Sequence, residues 1–211
     1  MYFKDKSIND FIDELSSSSP VPGGGGAAAV SASLSTALSS MVFNLTVNKK
    51  AFASVSENEK DTVFTAMDNC KKKTEDFLNF IDKDGEAFSS LMSAYKLPKD
   101  TEENLAVREE QIQAGLQNAM LVPLSLATEL VDVMENIKTA AIYGNTNVIS
   151  DAGVSAILAY ASIESSILNV MVNLKFIESN DTNQIKEDCN DLLKKAAELK
   201  KVIMTLVYEK L

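Results

Sequence analysis

The chain has 211 residues, of which 45% are hydrophobic and 24% charged, values typical of one globular domain that can bury a sizeable core. Its formal net charge of -10 makes nucleic acid and anionic membranes unfavourable partners, because both repel an acidic surface. The sequence contains no His, which excludes imidazole catalysis and His metal ligands, and its two cysteines lack the spacing of a metal site. We therefore expect no bound metal.

Helical signals follow one another along the chain, and no window has the alternation that is typical of strands. We expect one all-α domain over residues 1–211, a single-domain bundle of about six helices. The expected helices run from Ser7 to Leu15, from Ala27 to Val47, from Ser56 to Tyr95 with a break near Gly85, from Thr101 to Tyr143 with a kink at Pro123, from Ser150 or Asp151 to Phe176, and from about 180–182 to the C-terminus.

The stretch from Gly26 to Asn48 carries no charge and has the length of a membrane span. Its many Ser and Ala residues favour a tightly packed helix that is buried on all sides. The first five residues do not resemble a signal peptide. We therefore expect a cytoplasmic protein that does not bind a membrane.

Two polar features flank this buried helix. Pro22 and the glycines Gly23, Gly24 and Gly25 precede it, and backbone N–H groups at such a position can bind an anion. The alternative is a flexible loop that allows close packing. Lys49 and Lys50 follow the helix, where they either bind carboxylates or complement the helix dipole.

Two carboxylates lie on apolar helix faces. Asp84 falls on the stripe that contains Ile81 and Phe88, and a carboxylate there is costly unless it is paired or used. Asp151 lies in line with Val154 and Leu158, but it also stands where a helix cap belongs. Each could be functional or structural.

Two further motifs are rich in asparagine. Asn145 and Asn147 lie in a Gly-Asn-Thr-Asn segment just before Asp151. Asn169 and Asn173 share one helix face, where hydrogen bonding to a neighbouring helix is the simpler interpretation.

These motifs, in this order, resemble the cyclodeaminase and methenyltetrahydrofolate cyclohydrolase family over about residues 5–180. The blocks that carry the resemblance are PVPGGG with its Ala/Ser-rich helix and MVxxLT, DxxAF with AYxLP, GNxNxxSDAGV, and LNV with NL. Asn48 departs from the glycine that is usual before the basic pair, and Ile163–Ser166 replaces a segment in which the family prefers small residues.

The resemblance implies a helical homodimer that binds a folate, expected to be polyglutamylated, and that needs no cofactor. It implies that the substrate is held by Pro22, Gly23, Gly24, Gly25, Lys49, Lys50, Asn145 and Asn147, and that the glutamate tail meets the lysines. The bridge of methenyltetrahydrofolate is an amidinium cation, so a carboxylate beside it can stabilise the charge and accept a proton from water. Nitrogen N5 then needs an acid, and we expect Asp84 and Asp151 to divide these roles.

The length of the chain favours a free-standing cyclohydrolase, which converts 5,10-methenyltetrahydrofolate and water to 10-formyltetrahydrofolate. The alternative activity is 5-formiminotetrahydrofolate cyclodeaminase, which releases ammonia. A folate-binding or helical scaffold protein without activity is the alternative from another class.

Overall fold

The computed structural model describes residues 2–179 and 181–211, and in these residues the chain forms seven α-helices, two 3-10 turns and no strand. The all-α prediction is confirmed. The helices are α1 (Ile8–Leu15), α2 (Gly24–Val47), α3 (Lys50–Ala53), α4 (Glu57–Tyr95), α5 (Glu102–Tyr143), α6 (Ile149–Leu174) and α7 (Thr182–Tyr208). The 3-10 turns are Phe3–Asp5 and Thr146–Val148.

Helix α2 lies at the centre of the bundle, where it packs against α4, α5 and α6. Its buried face consists largely of small residues, which allow the neighbouring helices to come close. Ser hydroxyls of both helices bond α2 to α6: Ser35 on α2 donates to the carbonyl of Ser155 at 2.9 Å, and Ser162 on α6 donates to the carbonyl of Ala28 at 2.7 Å. These bonds hold α2 and α6 side by side in opposite directions.

The outer sides of α2 and α6 expose apolar side chains. On α2 the exposed residues are Leu34, Met41 and Leu45, and on α6 they are Val154, Ile157, Leu168 and Val172. Leu168 is 65% exposed, and α2 has no charged residue anywhere along its length. We call these seven residues the outer face.

The helix boundaries differ from the sequence prediction at several points, and the short helix α3 was not predicted. Helix α2 begins at Gly24, so three glycines lie inside its first turn rather than in the loop before it. Helix α4 continues through Gly85, whose missing side chain makes room for the Phe3 ring. Helix α6 begins at Ile149, one residue before the predicted start. The prediction for the last helix allowed a start at Asn180, which lies outside the described residues.

Helix α2 and the segment Thr146–Leu174 are long and apolar enough to cross a membrane by length and composition. The core helices of soluble proteins meet the same criterion, and 56% of the apolar window in α2 is buried inside the bundle. This burial agrees with a packed core helix. The prediction that the helix is buried on all sides is wrong, because Leu34, Met41 and Leu45 on one side of α2 are exposed.

Candidate functional site

A cavity of about 270 Å³ lies where the beginning of α2 meets α4, α5 and the end of α6. Gly23, Gly24 and Gly25 form one wall, and Asp84 projects from α4 beside them. The remaining lining residues are Pro20, Val21, Phe88, Leu91, Ala119, Asn169, Val172 and Asn173. The cavity thus combines an apolar lining with a few polar groups, as small-molecule sites do.

Asp84 is the one lining residue with an ionisable side chain. Its Oδ2 accepts a hydrogen bond of 3.1 Å from the backbone N–H of Gly26. Helix α2 has no side-chain cap and no acidic residue in its first turn, so Asp84 supplies the negative charge that the helix N-terminus favours. Burial nevertheless raises the pKa of Asp84 above the usual value of an aspartate, and the bond from Gly26 only partly opposes this shift.

Gly25 lies directly against this carboxylate. A Cβ atom on Gly25 would overlap Asp84 Oδ1. The glycine therefore lets the helix N-terminus lie directly against the carboxylate. Pro22 is buried just before it, and its Cβ packs 3.4 Å from the position where Gly26 would carry a side chain.

Asn169 and Asn173 also line the cavity, and the sequence interpretation missed them as site residues. The Asn169 side chain lies against Gly24, and its Nδ2 donates to the carbonyl of Ser165 at 2.8 Å. Asn173 donates to the carbonyl of Ala119 on α5 at 3.1 Å, so the expected bond between helices is present. Because both side chains line the cavity together with the glycines, they can also contact a ligand there.

Lys49, Lys50, Asn145 and Asn147 lie at the opposite end of α2. Twenty-two residues separate Gly24 from Thr46, so the two ends are roughly 33 Å apart at 1.5 Å per residue. Lys49 and Lys50 border a shallow surface pocket whose other lining residues are Val47, Asn48, Phe52, Ala53, Lys60 and Phe64.

Asn145 holds the chain together at this end. Its backbone N–H donates to Thr46 Oγ1 at 2.9 Å, its Nδ2 donates to the carbonyl of Leu45 at 3.2 Å, and its Oδ1 accepts from the N–H of Asn147. These bonds connect the end of α2 to the turn before α6. Asn147 itself is exposed.

Asp151 is also at this distant end. It is the third residue of α6 and half-buried, and the helix begins two residues before it, so Asp151 is not the helix cap. Eighteen residues of α6 separate it from Asn169, or roughly 27 Å. Asp84 and Asp151 therefore do not face the same cavity within one chain.

Asp82, two residues from Asp84, has a different environment. Its Oδ1 accepts the backbone N–H of Phe3 at 2.6 Å, and Lys4 donates to Asn79 one turn earlier on α4. Asp82 thus fixes the N-terminal segment to α4 and does not line the cavity.

Within residues 2–179 and 181–211, no group of three or more Cys, Asp or Glu side chains is arranged to hold a metal ion. Both cysteines are buried, and burial raises the pKa of Cys70 to about 12. Neither thiol is placed for nucleophilic chemistry.

The fold and the cavity define a helical protein with a carboxylate held at the N-terminus of a core helix, and similarity to known proteins assigns the family. A family model described as Formiminotransferase-cyclodeaminase matches residues 7–195. The chain belongs to this family. The resemblance that the sequence motifs carried is therefore confirmed.

Individual relatives agree with the family model. A methenyltetrahydrofolate cyclohydrolase of Methylorubrum extorquens is 42% identical over 173 residues, which cover 82% of this chain and 81% of the relative. The formimidoyltransferase-cyclodeaminase of Gallus gallus is 35% identical over 82% of this chain, but the match covers only 31% of that longer protein.

A solved structure also resembles this chain. The crystal structure of a formiminotetrahydrofolate cyclodeaminase from Thermotoga maritima has a TM-score of 0.79 and 25% sequence identity. The similarity covers 99% of this chain and 96% of that one.

Proposed function

We propose that the protein is a methenyltetrahydrofolate cyclohydrolase, which adds water to the one-carbon bridge of 5,10-methenyltetrahydrofolate and releases 10-formyltetrahydrofolate. The match to the bacterial relative with this name covers most of both chains, whereas the match covers only 31% of the formimidoyltransferase-cyclodeaminase of Gallus gallus. The single observation that carries the mechanism is Asp84, whose carboxylate lines the cavity with a raised pKa.

The cavity suits the cationic head of this substrate. Its side chains offer the acceptor oxygens of Asp84, Asn169 and Asn173, and none of them is a Lys or Arg. An amidinium cation is stabilised by such a lining, while a glutamate tail is repelled by it. We therefore orient the pterin and the methenyl bridge into the cavity and the tail out of it.

Asp84 then acts as the base. Water adds to the bridge carbon, the new C–O bond neutralises the amidinium, and Asp84 takes the proton that the water loses. The bond from the bridge carbon to N5 breaks as N5 receives a proton from an acid, and the hydroxyl proton passes to solvent as the formyl C=O forms. One proton is released overall. Water and carboxylates suffice for these steps, so no cofactor is part of the proposal.

Two carboxylates are candidates for the acid. Asp84 can return its own proton to N5, or Asp151 can supply one. Because Asp151 lies roughly 27 Å along α6 from the cavity, it can act there only if a second copy of the chain provides it.

We propose that such a second copy packs on the outer face to form a homodimer. Its seven residues are apolar and exposed, α2 carries no charge, and the member Val172 also lines the cavity. A two-fold axis across the helices would pair the two copies in opposite directions. The Asp151 end of one copy would then approach the Asp84 cavity of the other.

Lys49 and Lys50 are proposed to attract a polyglutamate tail. Both are exposed cations on a chain of net charge -10. Because they lie far from the cavity, they can be reached only by a long tail or by the tail of a substrate that is bound to a second copy of the chain. The family relationship further supports a soluble, cytoplasmic enzyme that acts without a membrane or nucleic acid.

The competing activity is 5-formiminotetrahydrofolate cyclodeaminase, which is favoured by the name of the structural neighbour. Ring closure with loss of ammonia needs the same carboxylate beside the same carbon. Two assays on one preparation separate the activities: loss of methenyl absorbance and release of ammonia from the formimino compound. Ammonia release with no faster loss of methenyl absorbance than in buffer would reject the cyclohydrolase.

A further inference from the structure

Pro123 lies inside α5, next to the cavity, and it leaves one carbonyl without its helical donor. In an α-helix each backbone N–H bonds to the carbonyl four residues earlier. Proline has no N–H, so the carbonyl of Ala119 loses that partner although α5 runs without interruption from Glu102 to Tyr143. Ala119 lines the cavity.

Asn173 on α6 supplies the missing donor. Its Nδ2 lies 3.1 Å from the carbonyl oxygen of Ala119 and 3.0 Å from that of Asn169. Carbonyl oxygens only accept, so the geometry distinguishes the amide nitrogen of Asn173 from its oxygen. Both amide hydrogens are used, and the side chain is fixed between α5 and α6.

The amide oxygen of Asn173 remains available. No donor among the residues that the structure describes pairs with Oδ1, and Asn173 lines the cavity together with Asp84. Asn169 is held in a similar way, because its Nδ2 bonds to Ser165. The cavity therefore presents preorganised acceptors, which suit a ligand that brings N–H donors.

We propose that Asn173 determines specificity for the pterin ring: its Oδ1, fixed by the carbonyl that Pro123 leaves free, accepts a hydrogen bond from a pterin N–H. The inference rests on the proposed function for the identity of the ligand. Pterin rings carry several N–H donors along one edge, and a site built around such a bond rejects rings that lack the donor. Pro123 is a positioning residue, since it acts only through Asn173.

A purely structural role for Asn173 predicts different behaviour in a double variant. Asn173→Ala removes the acceptor and also leaves the Ala119 carbonyl without a partner, so it lowers Tm as well as affinity. Adding Pro123→Ala returns a backbone N–H to that carbonyl. The double variant should regain stability but not the acceptor.

The test is calorimetric titration of wild type, Asn173→Ala and the double variant Pro123→Ala/Asn173→Ala with tetrahydrofolate and with tetrahydropterin, alongside thermal unfolding. We expect Asn173→Ala to weaken both ligands about tenfold, the scale of one hydrogen bond. The double variant should recover Tm while its Kd stays weak.

Three results would overturn the proposal: an unchanged Kd in Asn173→Ala, a Kd that recovers together with Tm in the double variant, or no binding of tetrahydrofolate to the wild type. Binding does not require turnover. A wild type that binds tetrahydrofolate as expected but does not hydrolyse methenyltetrahydrofolate would refute the proposed activity and leave the role of Asn173 intact.

Discussion

The carboxylate of Asp84 on α4 accepts the backbone N–H of Gly26 on α2 at 3.1 Å, across 58 residues of sequence. One bond thus links the core helix to the group that we propose as the base. Oδ2 is used by the helix N-terminus, and Oδ1 lies against Gly25 at the cavity wall. The same residue that completes the fold at this end is therefore placed for chemistry.

Substitution of Gly25 tests whether this close approach matters. Gly25→Ala places a methyl group where Asp84 Oδ1 lies, so the carboxylate must move. We expect kcat/KM to fall about 100-fold, the scale that a misplacement of about 1 Å can cost. Gly23→Ala is the matched control, because its nearest new contact is the carbonyl oxygen of Pro20 at 3.9 Å. Equal activity of the two variants would contradict the placement.

The pH dependence follows from burial, which raises the pKa of Asp84. A base must be ionised, so kcat/KM should rise with pH through a pKa above the usual aspartate range, and Asp84→Asn should lack this limb. A limb at the usual aspartate value would argue against Asp84.

The pH dependence of the free energy of unfolding tests the raised pKa of Asp84 independently of activity. A raised folded pKa stabilises the fold below the usual aspartate pKa, and this contribution is lost as pH rises through the folded value. Asp84→Asn cannot ionise, so its stability relative to wild type should increase over that window. Denaturant unfolding across the pH range measures the difference.

Much of the helical architecture could be predicted from local signals. The Ser56 and Glu59 capping box was recognised in the sequence and is formed at the start of α4. The start of α2 was not predicted, because glycine has low helix propensity, and its place in the first turn depends on Asp84 from another helix.

The site was only partly predictable. Asp84 and the glycines do share a cavity, but Asp151 and Lys49 lie at the far end of the same helices. Sequence motifs do not show how far apart two helix ends lie. The prediction therefore placed residues from two separate ends of the bundle in one site. Asn173 could have been found from Pro123, since a proline inside a helix leaves a carbonyl that needs a donor from outside.

The lysine pair should affect the tail and not the ring. Lys49→Ala or Lys50→Ala should raise KM for a polyglutamylated substrate by severalfold and have a smaller effect on the monoglutamate and on kcat. Added salt should reduce the difference, because exposed charges are screened. Lys96→Ala, another exposed lysine, at the end of α4, is the control. An unchanged KM for both substrate forms would refute a tail site at these lysines.

Mixed dimers test the contribution of a second copy. If Asp151 of one copy serves the cavity of the other, Asp84→Asn and Asp151→Asn should each be inactive alone. Random mixing of the two variants makes about half of the dimers mixed, and each mixed dimer has one intact site of two. The mixture should therefore regain about a quarter of wild-type activity. Sedimentation should give a dimer that Leu168→Glu on the outer face dissociates. A monomer at micromolar concentration would rule out the shared site, and an active Asp151→Asn protein would assign the acid to Asp84 itself.

The most direct measurement is the rate at which methenyl absorbance is lost with wild type, Asp84→Asn and Asp82→Asn. Asn retains the shape and an acceptor for Gly26 but cannot take a proton, so kcat of Asp84→Asn should fall about 100-fold or more while the protein stays folded. Asp82→Asn keeps an acceptor for Phe3 outside the cavity and should hydrolyse the substrate at close to the wild-type rate. A folded Asp84→Asn protein with wild-type turnover would contradict the account, because another group would then have to carry the proton.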